Sequence, residues 1–194
     1  MIIKLNDNFL FLADHLVMIG GIIKSPQDAV SILNIGNNTA CNIAPFPRPS
    51  YAHSSAVTPI GVIACGGETP KEHLTVNLTE RDCYRLTKSN KWVLFPSLQK
   101  KRTYFSMKYM DGMLWAFGGE HSKDTIEFIE LKNPTKWTSR VTPFKTYGAC
   151  VTELPNNRFL SIGGVENKVM KADTDIDIDV LRFFFLFEII KIIY

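Results

Sequence analysis

The chain has 194 residues, a net charge of +3, 45% apolar and 21% charged residues. That is one domain of ordinary size with enough apolar material for a core, and the balance excludes a chain disordered by composition. Basic charge gathers only at Lys100, Lys101 and Arg102. This reads as a solvated turn. A nucleic-acid groove needs a longer basic stripe with aromatics among it, so nucleic acid is not an expected partner.

From the N-terminus, MIIKLNDNFLFLADHL lacks the uninterrupted apolar core and small-residue cleavage site of a signal peptide, because Asn6, Asp7 and Asn8 break it. The chain then runs into HLVMIGGI, a short apolar segment that ends at Gly20 and Gly21. The same ending recurs in GVIACGGE (Gly66, Gly67), MLWAFGGE (Gly118, Gly119) and FLSIGGV (Gly163, Gly164). The second glycines are 46, 52 and 45 residues apart. Turn signals precede most of these runs, as at Ala13-Asp14-His15, Asp111-Gly112 and Pro155-Asn156-Asn157, and predict hairpins.

A second landmark follows the first three pairs. ILNIGNNTAC, CYRLTKSNKW and FIELKNPTKW align without a gap, each with an aliphatic residue (Ile35, Leu86, Leu131) six positions before Cys41, Trp92 or Trp137. A third lies midway, in RPSY (Arg48 to Tyr51), RTY (Arg102 to Tyr104) and KTY (Lys145 to Tyr147). One unit is therefore a meander of four short antiparallel strands, and no stretch has the 3.6 periodicity of a long helix. Four strands repeated every 45–52 residues predict an all-β propeller of about three to four blades.

These landmarks resemble the kelch-repeat family over roughly residues 9 to 167. Four glycine pairs with Trp92 and Trp137 at matching offsets carry the resemblance. It implies that each repeat is one blade of a β-propeller, with repeats near 9–57, 58–109 and 110–153 and a partial one at 154–167. Glycine is the residue for a strand end where backbone must take positive φ and neighbours must come close. Residues 168–194 diverge, acidic at first and then apolar. DTDIDID alternates as a half-buried edge strand does, and it lacks the central glycine and later glutamate of a calcium loop. The final FFFLFEIIKIIY is 12 residues with Glu188 and Lys191, short of the roughly 18 to 20 that a membrane-spanning helix needs. Three complete repeats and a stub do not close a ring, which reads as a fragment or a truncated product and predicts association through exposed blade faces.

Among the cysteines (41, 65, 83, 150), Cys65 and Cys83 fall on neighbouring strands within disulfide reach, although two buried free thiols fit equally. No pair has CxxC zinc spacing. Sequons at Asn37 and Asn77 fall in expected loops. With the cysteines they keep an extracellular setting open against the missing signal peptide, so localisation is left open. The histidines (15, 53, 73, 121) read as solvated loop residues.

The resemblance implies a non-enzymatic protein-interaction module with a protein or peptide partner and no cofactor. The face used by peptide-binding members maps onto Lys24, Arg48, Ser50, Glu68, Arg102, Glu120 and His121, with Tyr51, Tyr104 and Tyr147 beside them. The charged residues are expected at the surface and the tyrosines in packing between blades. The alternative is an enzyme like galactose oxidase, a copper protein of the wider propeller class; the residue types are present, but no spacing brings them together.

Overall fold

The computed structural model describes residues 8–12, 15–22, 25–70, 77–142, 145, 147–154, 158–166, 169–170 and 174–177. Lys24, His73 and the apolar stretch after residue 177 lie outside them. Blade 1 is β1 (Asn8–Leu12), β2 (His15–Ile19), β3 (Val30–Asn34) and β4 (Thr39–Asn42), paired in that order. Blade 2 takes β5 (Ser54–Thr58) and β6 (Gly61–Cys65), sends out a hairpin of β7 (Glu68–Pro70) and β8 (Asn77–Thr79), and returns with β9 (Cys83–Leu86) and β10 (Trp92–Phe95). Blade 3 is β11 (Ser106–Met110), β12 (Met113–Phe117), β13 (Thr125–Glu130) and β14 (Thr138–Val141). The fourth sheet pairs β15 (Cys150–Leu154) with β16 (Arg158–Ile162), and after a hairpin of β17 (Val165–Glu166) and β18 (Val169–Met170) it gains β19 (Thr174–Asp177). All these pairings are antiparallel, and the described residues contain no helix. The strand in DTDIDID thus belongs to the fourth sheet, so the fourth repeat draws on residues beyond 167.

The second strand of each blade explains the stacking. Its side chains alternate between two faces, and both are apolar in the interior blades. On β6, Val62 and Ala64 join Val17, Ile19, Val30 and Phe46 between blades 1 and 2. Ile63 and Cys65 point the other way, against Met107, Leu114 and Ala116 of blade 3. On β12, Trp115 and Phe117 meet Val151 and Phe159 of the fourth sheet. The core is therefore three apolar layers between sheets, as wedge-shaped blades around an axis require.

The tryptophan landmark fastens the linkers between blades. Trp92 Nε1–H donates to Ala44 O at 3.0 Å, and Trp137 Nε1–H donates to Pro96 O at 2.7 Å. Ala44 precedes blade 2 and Pro96 precedes blade 3, so each ring sits under the linker that delivers its own blade. A buried indole needs such an acceptor. Cys41, at the matching position of blade 1, is exposed and free.

The glycine pairs meet the chain segment that opens the next or the same blade. Gly66 has φ +65°, and a Cβ there would lie 2.6 Å from Arg102 O and 2.9 Å from Phe105 Cε1. Gly67 N–H donates to Arg102 O at 2.8 Å, as Gly21 N–H donates to Ser50 O at 2.9 Å. Cys65, just before the pair, is the register partner of Cys83, and the two form a buried disulfide with Cα atoms 4.1 Å apart. Closing that 18-residue separation contributes about 3 kcal/mol through the unfolded chain.

The midway landmark needs a correction. Ser50 and Arg102 both stand sixteen residues before the first glycine of their blade, and their carbonyls take equivalent bonds from Gly21 and Gly67. Ala52, Tyr104 and Gly148 share the positive φ two residues later, at 53°, 51° and 70°. Tyr51 and Tyr147 are thus equivalent, each in an isolated bridge to the residue after a glycine pair (Glu68 and Val165), and Tyr104 is one position further on. The basic residues 48, 102 and 145 do not share one position either; a shared residue type concealed a shift of register.

Candidate partner-binding face

Of the residues that the sequence reading maps onto the partner face, Arg102 and Ser50 are buried and Arg48 is half-buried. Arg102 and Glu127 are both 0% exposed and pair at 2.9 Å. Every guanidinium N–H has an acceptor. Nε–H and Nη2 reach Glu127 Oε1, Nη2 also reaches Thr125 Oγ1, and Nη1 reaches the carbonyls of Gly118 and Thr125. Glu127 in turn accepts the backbone N–H groups of Gln99 and Lys100. Burial pulls the Arg102 pKa down and the adjacent carboxylate pulls it back up. Arg102 therefore locks the lead-in segment of blade 3 onto its own glycine pair. Its neighbours Lys100 and Lys101 are the exposed part of the basic run.

Arg48 does the same work in blade 2 from two residues further upstream. Its Nη2 donates to Gly66 O at 3.0 Å, its Nη1 meets Asp82 at 3.4 Å, and the guanidinium lies over the Tyr84 ring. Carbonyls freed where a strand ends at glycines need donors, and arginine brings five. Ser50 is fully buried beneath the same turn. These three side chains are braces of the blade and present little or nothing to a partner.

Other members of the set do meet solvent on the glycine-pair side. Glu68 is half-buried and accepts the Tyr51 hydroxyl. Glu120 and His121 follow the third pair and are exposed, with His121 Nε2 2.9 Å from Thr79 Oγ1 on the blade 2 hairpin. Tyr104 feels both carboxylates: burial first, then the charges of Glu68 and Glu120, push its phenol above the ordinary value. Next to it a crevice opens between blade 3 and the fourth sheet. Tyr104, Lys123, Thr142 and Tyr147 rim it, over Phe117, Gly118, Ile126 and Val151. Lys123 Nζ sits 4.7 Å from the centre of the Tyr147 ring. Lys123 was not singled out from sequence because no landmark marks it; only the fold brings it beside Tyr147.

The histidines divide. His53 is buried, against the expectation of a solvated loop, because it takes the core position that Phe105 fills in blade 3 and stacks on Phe46 at 5.5 Å. Burial, with Arg48 nearby, lowers its pKa to about 3, so it is neutral at pH 7. His15 instead meets Asn34 Nδ2 at 3.2 Å. Among the described residues no group of three His, Cys, Asp or Glu side chains is arranged to hold a metal ion.

Repeat-equivalent antiparallel sheets, glycine-pair strand ends and linker-locking tryptophans define a partial β-propeller of kelch type. No family profile matches the chain. Over 121 residues, 60% of its length, it is 30% identical to Kelch-like protein 13 of Bos taurus and of Homo sapiens, and 29% identical to Kelch-like protein 9 of Mus musculus. The matched region spans less than one fifth of those proteins, 18%, 18% and 19%. The solved structure of YjhT shares the fold, with a TM-score of 0.77 at 13% identity, over 91% of this chain and 63% of that one. The chain thus has the fold of a kelch-type propeller and resembles Kelch-like proteins over part of its length.

Proposed function

We propose that the chain is a non-enzymatic protein-interaction module that takes a cationic segment of a protein partner on its glycine-pair face. The observation that carries this reading is the grouping of Glu68, Glu120, His121 and Tyr104 beside the crevice rimmed by Lys123 and Tyr147. Two carboxylates that both raise the Tyr104 pKa set a negative potential where a lysine or arginine side chain would lie. Tyrosine offers broad contact and a hydroxyl at small entropic cost, which suits recognition on a rigid rim. Kinship with Kelch-like proteins supports an interaction role.

Selection from a random peptide display library on the immobilised chain tests the reading. Selected peptides carry Lys or Arg, and they bind the Glu120→Lys variant at least tenfold more weakly. Peptides without basic residues, or equal binding to both proteins, would overturn it. Stoichiometric copper in the purified protein would favour an oxidase instead.

A further inference from the structure

The turn between the last two strands recurs in the first three blades, and in one of them it carries a complete acceptor signal. Blade 1 has Asn37-Asn38-Thr39 there, blade 2 has Lys88-Ser89-Asn90, and blade 3 has Asn133-Pro134-Thr135. N-linked glycosylation requires asparagine, then any residue except proline, then serine or threonine. Blade 2 lacks the asparagine. Blade 3 has both outer residues, but the proline between them fixes φ and removes a backbone donor. Apart from Pro134, which is half-buried, all of these residues are exposed, so exposure comes with the position in the blade.

The blade 1 side chains are arranged for transfer. Thr39 Oγ1–H donates to Asn37 Oδ1 at 2.6 Å, and Thr39 N–H donates to the same oxygen at 3.1 Å. Both bonds go to the carbonyl oxygen of the side-chain amide. Asn37 Nδ2, the atom that takes the sugar, has no hydrogen bond among the described residues. The second sequon, at Asn77, differs: the Thr79 hydroxyl lies 2.9 Å from His121 Nε2 of blade 3 and is engaged there.

The position also has room for a bulky group. β3 begins opposite Ile19, beside the glycine pair, and ends opposite His15, so the turn after it lies at the far end of the blade from that pair. β4, which follows, is the outer strand of its sheet and is exposed at all four positions. A glycan there covers no layer between blades and leaves the glycine-pair face open. The buried Cys65–Cys83 disulfide points to the matching compartment, because disulfides persist in oxidising surroundings such as the secretory lumen, where oligosaccharide is also transferred.

We propose that Asn37 is an acceptor for an N-linked glycan. In the transfer, Nδ2 attacks C1 of the first sugar of a lipid-diphosphate-linked oligosaccharide. The Nδ2–C1 bond forms, the C1–O bond to the diphosphate breaks, one amide proton is released, and the lipid diphosphate leaves with the electron pair. Nothing is oxidised or reduced.

Peptide mapping of the full chain, delivered to the secretory lumen of cultured animal cells by a cleavable leader, tests this. Removing the glycan with an amidase in heavy-oxygen water converts a glycosylated Asn37 into labelled aspartate. The chain should carry label at residue 37 and none at residue 133, where Pro134 supplies an internal control. Thr39→Ala, which keeps the asparagine, should lower the label at residue 37 at least tenfold, and Thr39→Ser should retain most of it. Circular dichroism checks the fold, and Asn37→Gln, read as loss of one glycan from the intact chain, replaces Thr39→Ala if that variant does not fold. An unlabelled residue 37 in luminal protein, label at 133 as strong as at 37, or label that persists in Thr39→Ala would overturn the proposal.

Discussion

Blades 2 and 3 differ from blade 1 and the fourth sheet less in sequence than in what covers them. All four have a central strand that runs into a glycine pair, and in the middle blades that strand is buried on both faces. In blade 1 and the fourth sheet it is buried on one. The braces follow the same division: Arg48 and Arg102 tie the lead-in segments of blades 2 and 3 to glycine carbonyls, and Trp92 and Trp137 hold the linkers into the same two blades. A repeat thus acquires its stability from its neighbours as much as from its own residues.

The strongest way to break that contrast is at Arg102. Replacing it with Met leaves Glu127 buried without its partner and costs about 3–5 kcal/mol, read as a lower denaturant midpoint. Adding Glu127→Leu should recover much of the loss, because the desolvated carboxylate is then gone as well. A weaker probe compares two glycines with similar backbone angles. Gly66→Ala forces a Cβ against Arg102 O and Phe105 and should cost roughly 2–4 kcal/mol, while Gly163→Ala meets nothing within 4 Å and should cost about 1 kcal/mol from positive φ alone. Equal losses at the two sites would contradict the account.

The smallest effect at neutral pH is expected at His53. Its folded pKa of about 3 lies below the ordinary histidine value of 6.5, so between those values the unfolded chain binds the extra proton and stability falls as pH falls. Stability measured from pH 7 down to 3 should therefore drop less steeply in His53→Phe, which copies the aromatic at the equivalent position of blade 3. An unchanged slope would show that His53 is not buried as a neutral ring.

Much of this organisation was legible in the residues. The glycine pairs and tryptophans gave the blades because each answers a local geometric need, a positive φ or an indole acceptor, that leaves a residue type behind. The face was harder to read. Arginines 48 and 102 looked like surface charge because a buried guanidinium is betrayed only by partners distant in sequence, Asp82 for one and Glu127 for the other. Tyr104 was aligned with Tyr51 and Tyr147 because three tyrosines near the same spacing outweighed a one-residue shift. Counting back from each glycine pair would have exposed that shift and set Ser50 against Arg102. Lys123 carried no signal at all; its place beside Tyr147 comes from the packing of blade 3 on the fourth sheet.

Amide hydrogen exchange, followed strand by strand in dilute protein, tests the layered account most directly. All four second strands are hydrogen-bonded on both edges, so differences among them report the covering of their faces. The account predicts that β6 and β12 exchange at least tenfold more slowly than β2 and β16. Protection of β16 equal to that of β12 would contradict it.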